Sequence, residues 1–208
     1  MNHTLIKMCG IRRPEDIAAV NDVLPDFIGF VFFPGSKRYI TPETAMELRK
    51  SLSPTVKAVG VFVDEAPETV ASLLNTGIID IAQLHGHEDE AYIARLRRLT
   101  GRPFIQAFRI RSADDAARAR DSAADHILLD AGAGNGKTFD WRLLDAVTRP
   151  YFLAGGLDPE NVSRAVRERK PFAVDVSSGI ETDGFKDIDK MRAFVRAVRE
   201  AENTEVTP

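Results

Sequence analysis

Cys9 is the single cysteine of the chain, and a glycine follows it. A thiol at the end of an apolar run can act as nucleophile or base once nearby cations bring its ordinary pKa of about 8.5 down. Lys7, two residues earlier and so on the same face of an extended strand, is a candidate for such a cation. Asp130 closes a second apolar run, His126 to Leu129, and a carboxyl that burial keeps protonated is a candidate general acid. A base and an acid on opposite sides of a small substrate are what a proton-shuttling isomerisation requires. Arg38 follows Pro34-Gly35-Ser36-Lys37, and its guanidinium suits bidentate capture of a carboxylate. Asp175 lies on the strand face opposite to Val174 and Val176, where a charge has to be satisfied or functional. Lys7, Arg38, His85 and Asp175 are therefore candidate substrate contacts.

Two further stretches have the composition of an anion site. Phe172 to Val176 reads as a buried strand that stops at Ser177-Ser178-Gly179, and Pro150 to Leu153 reads as another that stops at Ala154-Gly155-Gly156. Hydroxyls and glycines at strand ends allow several donors to converge with no Cβ in the way, which suits a phosphate. His85 and His87 flank Gly86, but no other cysteine or histidine stands at ligand spacing, so no metal site is read there. The Gly132-x-Gly134-x-Gly136 loop lacks the spacing and acidic partner of a dinucleotide fingerprint, and it reads as a flexible loop able to cover a site. Acid–base chemistry of this kind calls for no cofactor.

Cys9, Arg38, His85, Asp130 and the two Gly/Ser stretches share a position: each lies at or just after the end of an apolar run. Strand patterns alternate with helical ones throughout, the helices marked by Pro14, by Thr41-Pro42, by Pro67 and by Asp158-Pro159 at their starts. The chain reads as eight strand–helix pairs, with strands near 4–8, 27–33, 57–63, 78–84, 103–108, 126–129, 150–153 and 172–176. Such alternation implies a parallel sheet with right-handed crossovers. Eight equal units with no linker between them imply closure into a single (β/α)8 barrel, a TIM barrel, in preference to a doubly wound open sheet. Active sites of that fold lie at the C-terminal strand ends, with phosphate bound by the loops after strands seven and eight. The expected phosphate donors are thus Gly155, Gly156, Ser177, Ser178 and Gly179.

A length of 208 residues suits one such domain, with a polar tail from about residue 202. The formal charge of −3 gives no case for a nucleic-acid partner. No apolar run approaches the ~20 residues needed to cross a bilayer, and the first residues have no signal-peptide pattern. One cysteine excludes an internal disulfide and fits a reducing cytosol. The expected partner is a small-molecule substrate, and monomer and homodimer both remain open.

Taken in order, the strand-end motifs resemble those of the phosphoribosylanthranilate isomerase family. The motifs are Lys7-Met8-Cys9-Gly10 with Glu15-Asp16, Gly29-Phe30-Val31-Phe32 with Ser36-Lys37-Arg38-Tyr39, Gly60-Val61-Phe62, and Gln83-Leu84-His85-Gly86. Leu128-Leu129-Asp130 with Gly136 to Trp141, Leu153-Ala154-Gly155-Gly156-Leu157, and Asp175 to Glu181 with Lys186-Asp187 complete the set, which spans nearly the whole chain. The resemblance implies an Amadori rearrangement in tryptophan biosynthesis, with Cys9 as the base that takes the C2′ proton and Asp130 as the acid that protonates the ribose ring oxygen. It implies that Arg38 grips the anthranilate carboxylate and that Gly155, Gly156, Ser178 and Gly179 bind phosphate. Asp183 stands before Gly184 where the family pattern has proline, and a looser loop is expected there. A related sugar-phosphate isomerase of histidine biosynthesis would carry aspartate in place of Cys9. A non-enzymatic phosphate-binding barrel would not need Cys9 and Asp130 together.

Overall fold

The structure, a computed structural model, describes residues 3–130 and 141–203. Eight parallel strands close into a barrel in chain order. They are β1 (Leu5–Cys9), β2 (Phe27–Val31), β3 (Lys57–Phe62), β4 (Ile81–Leu84), β5 (Phe104–Arg109), β6 (His126–Asp130), β7 (Tyr151–Ala154) and β8 (Ala173–Val176). Closure comes from β1 pairing with β8, where Lys7 is in register with Asp175. Helices α1 (Pro14–Val23), α2 (Pro42–Lys50), α3 (Pro67–Asn75), α4 (Glu90–Leu99), α5 (Ala113–Asp121), α6 (Val162–Arg169) and α7 (Ile188–Asn203) cover the outside, with a 3-10 segment, Trp141–Ala146, between β6 and β7.

The alternation of each strand sorts its residues into two cores. Ile6 and Met8 of β1 face outward with Ile28, Phe30, Phe62 and Phe104 and pack beneath the helices. Inside the barrel Phe27, Val59, Ile81, Ile105, Leu128, Phe152 and Ala173 form a separate apolar plug. Phe27 and Phe152 meet at 5.4 Å between ring centroids, and His126 stacks on Phe172 at 5.8 Å, which seals the N-terminal end. Above that plug the inward positions turn polar, with Lys7, Gln83 and Asp175.

Several helix starts follow their sequence signals. Pro14, Pro42 and Pro67 each occupy a first helical position, and the Thr41 side chain accepts a hydrogen bond from the Thr44 amide. Two elements depart from expectation. The helix read from Asp158-Pro159 begins only at Val162. The Asp158 carboxylate accepts from the amides of Glu160 and Asn161, both at 2.9 Å, so side-chain capture holds this stretch as a turn before the helix. The expected loosening at Asp183 is also not seen. Asp183 and Gly184 have φ of 52° and 79°, and they close a two-residue hairpin between β9 (Glu181–Thr182) and β10 (Phe185–Lys186). α7 runs to Asn203, into the stretch read as a polar tail, and Glu202 accepts from the Thr4 amide at 2.5 Å. The glycine loop at 132–136 lies outside the described residues.

Candidate active site

Cys9 ends β1 and pairs with Gly29 of β2. A Cβ at position 29 would stand 2.6 Å from the Cys9 Sγ, so the glycine gives the thiol its room. Gly10 turns away with φ +85°, and a Cβ there would run into the Arg38 side chain. Beneath Cys9, Lys7 is wholly buried with Nζ 2.9 Å from Asp175 Oδ1. Burial works against the Lys7 charge, but the Asp175 carboxylate and Cys9 outweigh it and hold the ammonium above its ordinary range. Burial pushes the Cys9 thiol up, and Lys7 and Lys186 only partly offset this. The expected fall of the Cys9 pKa is therefore not found. Water removed from a thiolate costs more here than the surrounding cations return.

Arg38 leaves the loop after β2 and reaches the hairpin. Its Nε and Nη2 donate to the two oxygens of Glu181 at 2.6 and 2.8 Å. Glu181 also accepts from Lys186 Nζ at 2.9 Å, and the Lys186 side chain is 1% exposed. Burial alone would raise the Glu181 carboxyl, yet the hydrogen bonds and charges of Arg38 and Lys186 hold it down at about 2. A bidentate grip through Nε and Nη2 fixes the plane of the guanidinium before any ligand is met.

Asp130 ends β6, separated from β1 by β7 and β8, so it faces Cys9 from the opposite wall. His85 follows β4 and brings Nε2 to 3.7 Å from Asp130 Oδ2. The other ring nitrogen, Nδ1, is 2.8 Å from the side-chain amide of Gln83, a residue 1% exposed on the barrel's inner face. His87 turns outward to Asp64, so the two histidines do not converge. Among the described residues no cluster of His, Cys, Asp and Glu could hold a metal ion.

The two glycine loops interlock at the remaining side of the mouth. Gly155 and Gly156 take φ of 102° and 67° after β7. Gly179 lies so close that a Cβ would collide with the Leu157 carbonyl and with Asp158. Ser178 begins a 3-10 turn, Ser178–Ile180, and is exposed. Ser177 differs from its neighbours, because its hydroxyl donates to the Cys9 carbonyl at 3.0 Å and so supports the thiol's strand. Arg38 and Asp175 interact electrostatically with Cys9, and His85 and Asp130 with Asp175, so these groups gather at the C-terminal ends of the strands.

The chain matches the family model of N-(5'-phosphoribosyl)anthranilate (PRA) isomerase over residues 6–197. The chain belongs to the N-(5'-phosphoribosyl)anthranilate isomerase family. The protein of that name from Acetivibrio thermocellus is 44% identical over 213 residues, covering 96% of this chain and 97% of the relative. A crystal structure of phosphoribosyl anthranilate isomerase from Thermotoga maritima gives a TM-score of 0.86 at 38% identity, covering 95% of this chain and 99% of that one. A second crystal structure, of such an isomerase in complex with reduced 1-(o-carboxyphenylamino)-1-deoxyribulose 5-phosphate, gives 0.84 at 38% identity, with coverage of 95% and 99%.

Within this PRA isomerase family member, sequence reasoning passed over Glu181 and Lys186 as site residues. Lys186 lies on β10, which turns its side chain to the Ser177 carbonyl and to Glu181. The available signal was Asp183-Gly184 between two short extended pairs, which specifies a hairpin and hence a cross-strand Glu–Lys pair.

Proposed function

We propose that the protein isomerises N-(5'-phosphoribosyl)anthranilate to 1-(2-carboxyphenylamino)-1-deoxyribulose 5-phosphate, a step of tryptophan biosynthesis, and that it works in the reducing cytosol that a free thiol needs. The observation that carries this reading is the placement of Cys9 and Asp130 on opposed walls of one mouth in a chain of this family. Asp130 gives a proton to the ribose ring oxygen as the ring opens, which leaves a protonated imine between C1′ and the anthranilate nitrogen. The Cys9 thiolate then removes the C2′ proton, now acidified by that imine, and an enolamine forms. Tautomerisation of the enolamine gives the ketone. No group outside the chain and substrate is needed to balance these proton transfers.

Arg38 offers the guanidinium edge not held by Glu181 to the anthranilate carboxylate. Gly155, Gly156, Ser178 and Gly179 present backbone donors to the phosphate, in loops whose contact permits no side chain at position 179. His85 stands beside Asp130 and contacts substrate from the acid's side, whereas Lys7 and Asp175 act from beneath by fixing Cys9. The test is a coupled assay. Labile substrate is made in the cuvette from anthranilate and phosphoribosyl pyrophosphate by the preceding transferase, and the downstream synthase reports product as indoleglycerol phosphate. Product is expected only when this protein is added. Its absence under conditions where a known isomerase gives product overturns the proposal.

A further inference from the structure

The charged groups around Cys9 do not cancel. Lys7 and Asp175 form a one-to-one pair of zero net charge on β1 and β8. Arg38 and Lys186 both bind Glu181, so that cluster carries two cations against one carboxylate. Lys186 and Glu181 are its buried members, with side chains 1% and 6% exposed, while Arg38 reaches the surface at 18%. The cluster is also tied mechanically to the thiol. Lys186 Nζ donates to the Ser177 carbonyl at 2.9 Å, and the Ser177 hydroxyl donates to the Cys9 carbonyl at 3.0 Å. A partly buried cluster that holds more cations than carboxylates is costly, and an anion formed beside it lowers that cost.

We propose that Lys186, held in place by Glu181, is a positioning residue whose charge stabilises the Cys9 thiolate, and that Glu181 limits how strongly it does so. The inference rests on Cys9 being the base, and it adds the electrostatic element that makes a half-buried thiol usable. Lys7 cannot take this role alone, because Asp175 raises the thiol's proton affinity while Lys7 lowers it. Lys186 reaches Cys9 with the same sign as Lys7, and Arg38 also interacts with Cys9 from the loop after β2. The remaining titratable groups, His85 and Asp130, act on Asp175 and so bear on Cys9 through the Lys7–Asp175 pair.

The two partners have opposite predicted effects. Removing Lys186 takes away positive charge and makes the thiolate harder to form, while removing the Glu181 charge leaves a cation unopposed and makes it easier. Because Cys9 is the single cysteine, the pH dependence of alkylation by iodoacetamide reports this thiol alone and needs no substrate. In Lys186→Met the alkylation midpoint is expected to rise by about one pH unit, slowing the reaction at neutral pH about tenfold. Lys186→Arg restores the wild-type midpoint, and Glu181→Gln lowers it. In turnover assays the acid limb of kcat/KM moves with the same signs. Should Lys186→Met fail to fold, as judged by circular dichroism, Lys186→Arg and Glu181→Gln still decide the matter. An unchanged midpoint in folded Lys186→Met, or a rise in Glu181→Gln, overturns the proposal. A protein without isomerase activity would still show these shifts, so the two readings fail separately.

Discussion

At Cys9 burial and charge pull in opposite directions, and burial wins. The thiolate is therefore harder to form than in water, and its fraction grows with pH. The acid limb of kcat/KM, which reports the free enzyme, is expected to have its midpoint above the ordinary thiol range of about 8.5, and a midpoint below 7 would remove Cys9 as the titrating base. Glu181 shows the contrary balance. Its folded pKa of about 2 lies below the ordinary value of 4.5, so the group stabilises the fold above pH 4.5 and loses that contribution as pH falls towards 2. Urea midpoints of the wild type and Glu181→Gln should therefore differ at pH 6 and converge through that window. A gap that stays constant down to pH 2 would contradict the ion cluster. Cys9 and Asp130 were legible in the sequence because each ends an apolar run, and Arg38 because it stands in the Pro-Gly-Ser loop after one. Their environments were not, because the sign of a pKa shift depends on which charges are brought near and how much water is removed.

At the scale of elements, the mouth is built from loops that exclude side chains where they cross. Gly179 against the Leu157 carbonyl is the tightest of these crossings named above, and it registers the loop after β8 on the loop after β7. Gly179→Ala is expected to push the loops apart and raise KM about tenfold or more with a smaller effect on kcat, since the phosphate lies away from the reacting carbons. An unchanged KM would place the phosphate elsewhere. The eight strands were legible from apolar runs with correct order, each within a few residues of its observed bounds. The late start of α6 was not, because Asp158 serves an N-cap and a turn equally well by accepting from amides two and three residues on. The β9–β10 hairpin was legible and passed over: Asp183-Gly184 states it, but strands of two residues leave no apolar run to notice.

For the whole molecule, the stretch that leads into β1 meets α7 beside the seam between β1 and β8. Lys7 and Asp175 join the seam inside, while Arg199 donates to the Thr4 carbonyl at 2.8 Å outside it. Asp175→Asn leaves the Lys7 ammonium buried without its counter-charge, and a loss of about 3–5 kcal/mol in denaturant stability is expected. Replacing both partners by apolar residues should recover much of that loss, and a double variant no better than the single would show that the pair is not the seam's main liability. Barrel closure was legible from the count of equal units, whereas this buried pair was visible only as a lysine and an aspartate that had to face inward. The account as a whole stands on acid and base acting from opposite walls. Its most direct test is turnover of freshly generated N-(5'-phosphoribosyl)anthranilate by the wild type, Cys9→Ser and Asp130→Asn, each variant checked for wild-type folding. The account predicts product with the wild type and a loss of at least about 10²-fold in kcat for each variant. Near-normal turnover in either folded variant would contradict it.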